Sequence, residues 1–102
     1  MKKYKSTIKL YEMAYLGNVG QLRIEVHTDH EPKHFHIIKK DNFDVRISIK
    51  NLKVISYKWQ KNNKEINSSE IIKIKEWMKN LSQKNKNITN YEAIKFAWNI
   101  LN

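Results

Sequence analysis

The sequence predicts an α+β fold, an antiparallel β-meander of four to five strands with two C-terminal α-helices packed on one face. Three observations carry this. Between Leu22 and Trp59 apolar residues recur at every second position in several short runs, the period of a half-buried strand. From Ile66 onward they recur at every third or fourth position, the period of an amphipathic helix. The connections between the runs are short, which joins neighbouring strands antiparallel and leaves no room for crossovers. At 102 residues the chain is expected to form one domain, with residues 1–6 as a flexible basic tail.

In chain order, Ile8 to Tyr15 is rich in β-preferring residues, and Gly17-Asn18-Val19-Gly20 holds both glycines, so the two read as a strand and a hairpin turn. Leu22, Ile24 and Val26 then alternate with Arg23, Glu25 and His27. Pro32 fixes its own φ and pushes Glu31 toward extended geometry, so His30-Glu31-Pro32-Lys33 reads as a stiff loop into the strand His34-Phe35-His36-Ile37-Ile38. Asp41-Asn42 makes a turn into Phe43–Ile49, the cleanest alternation in the chain, with Phe43, Val45, Ile47 and Ile49 inward. After a turn at Lys50-Asn51-Leu52-Lys53, the residues Ile55, Tyr57 and Trp59 form the last inward row.

Helix starts follow. Asn67 with Glu70 reads as a capping box and Ile66 with Ile71 as its staple, ahead of the stripe Ile71, Ile74, Trp77, Met78 and Leu81. Thr89 with Glu92 repeats the pattern, with Ile88 and Ala93 as staple and Ile94, Ala97, Trp98 and Leu101 as stripe. Both stripes need a surface to bury, and the inward face of the sheet is the large one on offer. The strand phases then leave an open face carrying Arg23, Glu25, His27, His34, His36, Asp44 and Arg46.

Composition narrows the function classes. There are 20 Lys and Arg against 10 Asp and Glu, a formal net charge of +10, which points to an anionic partner, nucleic acid or an acidic protein. A compositional bias toward Lys, Asn and Ile accounts for part of that excess. The absence of cysteine excludes disulfides, thiolate zinc sites and cysteine nucleophiles. No apolar run approaches membrane-spanning length, and Lys9 and Glu12 interrupt what would be a signal-peptide core, so a cytoplasmic protein with no membrane partner is expected.

All 4 histidines fall between His27 and His36. In a strand, His34 and His36 share one face with Phe35 and Ile37 on the other, and the Pro32 loop keeps His30 near them. Clustered imidazoles serve as general acids and bases, as metal ligands or as phosphate contacts; a structural role, bonding a loop and capping a strand, is the bland alternative.

Asp29-His30-Glu31-Pro32-Lys33-His34-Phe35-His36-Ile37, the strand pair after it, and Glu76-Trp77 followed by Trp98 resemble a family of small bacterial proteins known as domain of unknown function 4160. That family usually shows two prolines before His-Phe-His, where Lys33 takes the second place here, and a glycine after the last strand that is missing here. The resemblance implies a component of a toxin–antitoxin-type operon, a nucleic-acid-directed toxin or its binding partner, with His30, His34 and His36 as signature positions.

Three functions are therefore expected in this order. The first is a metal-independent ribonuclease without cofactor, in which His30, His34 and His36 exchange protons and Arg46, Arg23 or Lys33 stabilises the phosphorane. The second is a non-enzymatic module binding nucleic acid, RNA in preference to DNA, or an acidic partner protein, with Arg23, Lys33, Lys39, Lys40 and Arg46 on phosphates. The third is a divalent metal such as zinc on His30, His34 and His36, with Asp44 or His27 as a further ligand.

Overall fold

A computed structural model describes residues 12–102. The basic tail and residues 8–11 of the expected first strand lie outside the described residues. The elements are β1 (Met13–Val19), β2 (Leu22–His27), β3 (His34–Lys39), β4 (Phe43–Ser48), β5 (Val54–Gln60), α1 (Ser68–Lys79) and α2 (Asn90–Leu101). The strands form one sheet in sequence order, each pair antiparallel, and both helices pack on one of its faces.

Residues directly opposite one another in an antiparallel pair share a face, so the register fixes the core. Ile24 lies opposite Ile37, and Ile37 opposite Val45; Phe35 lies opposite Ile47. With Leu22, Val26 and Phe43 these make the apolar face, and none is more than 4% exposed. Ile74 and Met78 of α1 and Ile94, Trp98 and Leu101 of α2 close over it in one continuous cluster. Each large aliphatic or aromatic side chain taken fully out of water contributes on the order of 1.5–3 kcal/mol, so this layer carries the stability.

The helices begin where their sequences require. The Glu70 amide donates to Asn67 Oδ1 at 2.8 Å and the Asn67 amide to Glu70 Oε1 at 3.0 Å, a complete capping box. At α2 the Glu92 amide donates to Thr89 Oγ1 at 3.2 Å and the Thr89 amide to Glu92 Oε1 at 2.9 Å. Leu81, expected in the first stripe, is 59% exposed, because Asn80 turns extended at ψ 157° and ends α1 one residue earlier.

The structure corrects two further expectations. Gly17, Asn18 and Val19 belong to β1, and the turn is the two-residue Gly20-Gln21 between Val19 and Leu22. Gly20, at φ +58°, supplies the left-handed position such a hairpin needs. Gly17 serves another purpose: a Cβ there would lie 3.2 Å from Cζ2 of Trp77, so its bare backbone lets α1 approach the strand, next to a bulge at Leu16. The inward row Ile55, Tyr57, Trp59 is also broken. Tyr57 faces Val45 and meets the Phe43 ring edge-on, but Trp59 lies opposite Asp44 and Val54 opposite Ile47. Bulges at Ile55 and Lys58 therefore turn Trp59 to the other face of the sheet and leave it and Ile55 exposed.

Candidate functional site

The polar face is not open at its centre. Glu25, His34, His36 and Asp44, expected to face water, are each 6% exposed or less. Each has a partner close by: His36 pairs with Asp44 on the next strand, Glu25 with Arg23 and His27 on its own, and His34 with Pro32 and Asp29 of the connection from Thr28 to Lys33. That connection is fastened from far along the chain, since the Asp29 amide donates to Asn102 Oδ1 at 2.9 Å and Asn102 Nδ2 donates to the His27 carbonyl at 3.2 Å.

The hydrogen bonds assign the tautomers. The Pro32 carbonyl can only accept, so His34 Nδ1, 2.7 Å away, carries a proton and donates it. His36 Nδ1 likewise donates to the buried Asp44 carboxylate, at 2.7 Å from Oδ1. In each neutral ring the lone pair is then on Nε2. His34 Nε2 faces Asp29 Oδ2 at 3.1 Å, and His36 Nε2 is fully buried with no hydrogen-bond partner among the described residues. One donor atom from each of Asp29, His34 and His36 lies within 4.8 Å of the others.

Neighbouring groups frame this cluster. His27 stacks on His36, with ring centroids 3.9 Å apart and planes 18° apart, and His27 Nε2 is 2.8 Å from Glu25 Oε1. Glu25 also accepts from Arg23 Nε, and the Arg23 guanidinium lies over the Tyr15 ring. Trp98 of α2 reaches the His34 ring at 5.3 Å and helps to seal it. Burial pushes the Glu25 carboxyl up, but hydrogen bonds and charge from Arg23 and His27 outweigh this and hold it below its ordinary value. Burial likewise raises Asp29, and the His30 amide, His34 and Arg46 bring it below the usual range.

The structure brings together His34, His36 and Arg46, whose Nε lies 3.8 Å from Asp29 Oδ2 and whose Nη1 donates to Ser56 Oγ. His30 is exposed; it gives the cluster its backbone amide, which donates to Asp29 Oδ1 at 2.8 Å. Arg23 stands at the far end of the same face. Lys39 is on the opposite face, paired with Glu70 at 3.1 Å, while Lys33 and Lys40 are exposed in separate connections. Sequence reasoning did not name Asp29 as a site residue. The available signal was its place ahead of His30 in the same short segment.

A second feature lies ahead of the start of β3. A groove of about 780 Å³ runs between the Glu31–Lys33 connection, the β4–β5 turn and α2, with Pro32 and Tyr91 in its lining and Lys33, Lys50, Lys53 and Lys95 around it. All four lysines are exposed, and Lys95 Nζ lies 4.8 Å from the Tyr91 ring centroid. No described helix is long and apolar enough to cross a membrane. Compared with protein-family models, with curated proteins and with solved structures, the chain matches none.

Proposed function

We propose that the protein binds single-stranded nucleic acid, RNA in preference to DNA, in the groove lined by Lys33, Lys50, Lys53 and Lys95, in the cytoplasm and in the toxin–antitoxin setting that its resemblance to domain of unknown function 4160 implies. The observation that carries this reading is the convergence of four exposed lysines from three separate segments on one groove. Lysines spaced along a groove follow a phosphate backbone, and an aromatic ring among them offers a stacking surface for an unpaired base. Tyr91 is held for such a role by its hydroxyl, which donates to the Ile49 carbonyl at 2.7 Å. Unpaired, splayed bases are the form in which RNA is usually read, which favours RNA.

Metal-independent cleavage by His30, His34 and His36 with Arg46 receives less support. A general acid or base must come within hydrogen-bond reach of the proton it moves, and His36 is 1% exposed and His34 4%.

Fluorescence anisotropy with labelled single-stranded RNA and DNA at two salt concentrations tests the reading, using the wild type and a Lys33→Gln, Lys50→Gln, Lys53→Gln, Lys95→Gln variant. The expected result is RNA binding that weakens steeply with salt, and in the variant a salt slope flattened by roughly 0.7 for each phosphate it no longer neutralises. No binding at low salt would leave an acidic protein as the partner to seek, and equal binding by the variant would place the nucleic acid somewhere other than this groove. Incubating the same RNA with and without chelator reports cleavage directly.

A further inference from the structure

We infer that Asp29, His34 and His36 form a binding site for one divalent transition-metal ion of the zinc and iron(II) class. The inference is independent of nucleic-acid binding and rests on the placement of three donor atoms and the hydrogen-bond partners behind them.

His34 uses its Nδ1 proton on the Pro32 carbonyl, so in the neutral ring Nε2 is an acceptor, and it faces another acceptor, Asp29 Oδ2, at 3.1 Å. Two lone pairs at that distance repel unless a cation lies between them or close to both. An imidazolium proton on His34 would satisfy this pair. It would do nothing for His36, whose Nδ1 is taken by Asp44 and whose Nε2 is a fully buried acceptor with no donor among the described residues. Leaving such a group unsatisfied forfeits its hydration with no return, and native structures rarely tolerate it. A single metal ion answers both problems at once, because it takes the lone pairs of His34, His36 and Asp29 together.

The surroundings match what metal ligands require of the residues behind them. A ligating histidine almost always donates its other ring N–H to a carboxylate or backbone carbonyl, which fixes the tautomer and the ring direction. Here one histidine does each: His36 to Asp44 and His34 to Pro32, both at 2.7 Å. Ligand bonds of about 2.0–2.1 Å in a tetrahedron place donor atoms roughly 3.3 Å apart. The His34–Asp29 pair is already at 3.1 Å. The limit of 4.8 Å across the set leaves at most about 1.5 Å to close. Asp29, its side chain 29% exposed at the edge of a connection, is the freest of the three to adjust, while both imidazoles project from β3.

Two imidazoles and one carboxylate leave at least one coordination position free, which is the pattern of catalytic zinc sites and of non-haem iron sites. Without cysteine there is no thiolate to draw softer ions. Arg46 approaches the same Asp29 oxygen at 3.8 Å, too far for a hydrogen bond, and so does not occupy the position.

The test uses tag-free protein, equilibrium dialysis against zinc with elemental analysis, and cobalt(II) substitution read by its visible d–d bands. The expected result is one equivalent of zinc per chain, with cobalt bands of a four- or five-coordinate site. Asp29→Ala, a change at a partly exposed position whose fold is checked by circular dichroism, should weaken zinc binding at least about tenfold, while His30→Ala should leave it unchanged. Substoichiometric zinc in the wild type, full affinity in Asp29→Ala, or loss of binding in His30→Ala would each overturn the assignment.

Discussion

His36 and Asp44 form a buried pair on neighbouring strands, with side chains 1% and 5% exposed and 2.7 Å between Nδ1 and Oδ1. Cutting one partner out strands the other away from solvent, whereas replacing both with apolar groups does not. Asp44→Ala is therefore expected to cost about 3 kcal/mol, and the double variant His36→Leu, Asp44→Leu to cost less than the sum of its single changes. Urea unfolding of the wild type, the two single leucine variants and the double variant, analysed as a double-mutant cycle, measures the coupling.

The two glycines of the first hairpin should respond differently to alanine. At Gly20 nothing lies within 4 Å of a new Cβ, so Gly20→Ala meets only the left-handed backbone, about 1–2 kcal/mol. At Gly17 the φ of +152° is unfavourable for any L-residue and Trp77 stands 3.2 Å away, so Gly17→Ala should destabilise more. Equal denaturation midpoints for the two variants would show that α1 does not press on β1 there.

Each capping box should be separable from the core. Asn67→Ala and Thr89→Ala each remove a side-chain acceptor for a helix-terminal amide and should each cost about 1 kcal/mol, with unchanged m-values. A loss several times larger would mean that the helix start is also needed to seat the stripe that follows it.

Acid stability should track Glu25 and, to a smaller extent, the more exposed Asp29. Both carboxyls are held below their ordinary values in the folded state, so they bind protons more readily when unfolded. The stability they supply is complete above the ordinary values of 4.5 and 3.8 and is lost as pH falls through the lower folded ones. The contribution of these two carboxyls should be unchanged down to about pH 5 and decline below it, and in thermal melts Glu25→Gln should shrink the decline below about pH 5.

What the sequence revealed was whatever is decided within a few residues. Both capping boxes could be read because Asn67 and Glu70, or Thr89 and Glu92, settle the matter between themselves. The alternation of Leu22–Val26 and Phe43–Ile47 likewise placed the core without reference to a partner. Trp59 was misplaced because a bulge is a relation between two strands, visible only once Asp44 is seen opposite it. Asp29 was missed for the same kind of reason. Its place in the histidine cluster depends on Asn102, 73 residues away, holding its amide.

The irregular register of β5 has a consequence for how these molecules meet one another. An edge strand with Val54, Ile55 and Trp59 exposed would ordinarily invite another chain to extend the sheet. Here regular pairing is interrupted at Ile55 and again at Lys58, so the free edge offers amides and carbonyls in phase for no more than two residues at a time. An incoming strand would lose step before it gained a third pair, and the lysine beside Trp59 adds a charge to be desolvated. The bulges that spoil the inward row thus also hinder strand-by-strand growth from the β5 edge of the sheet.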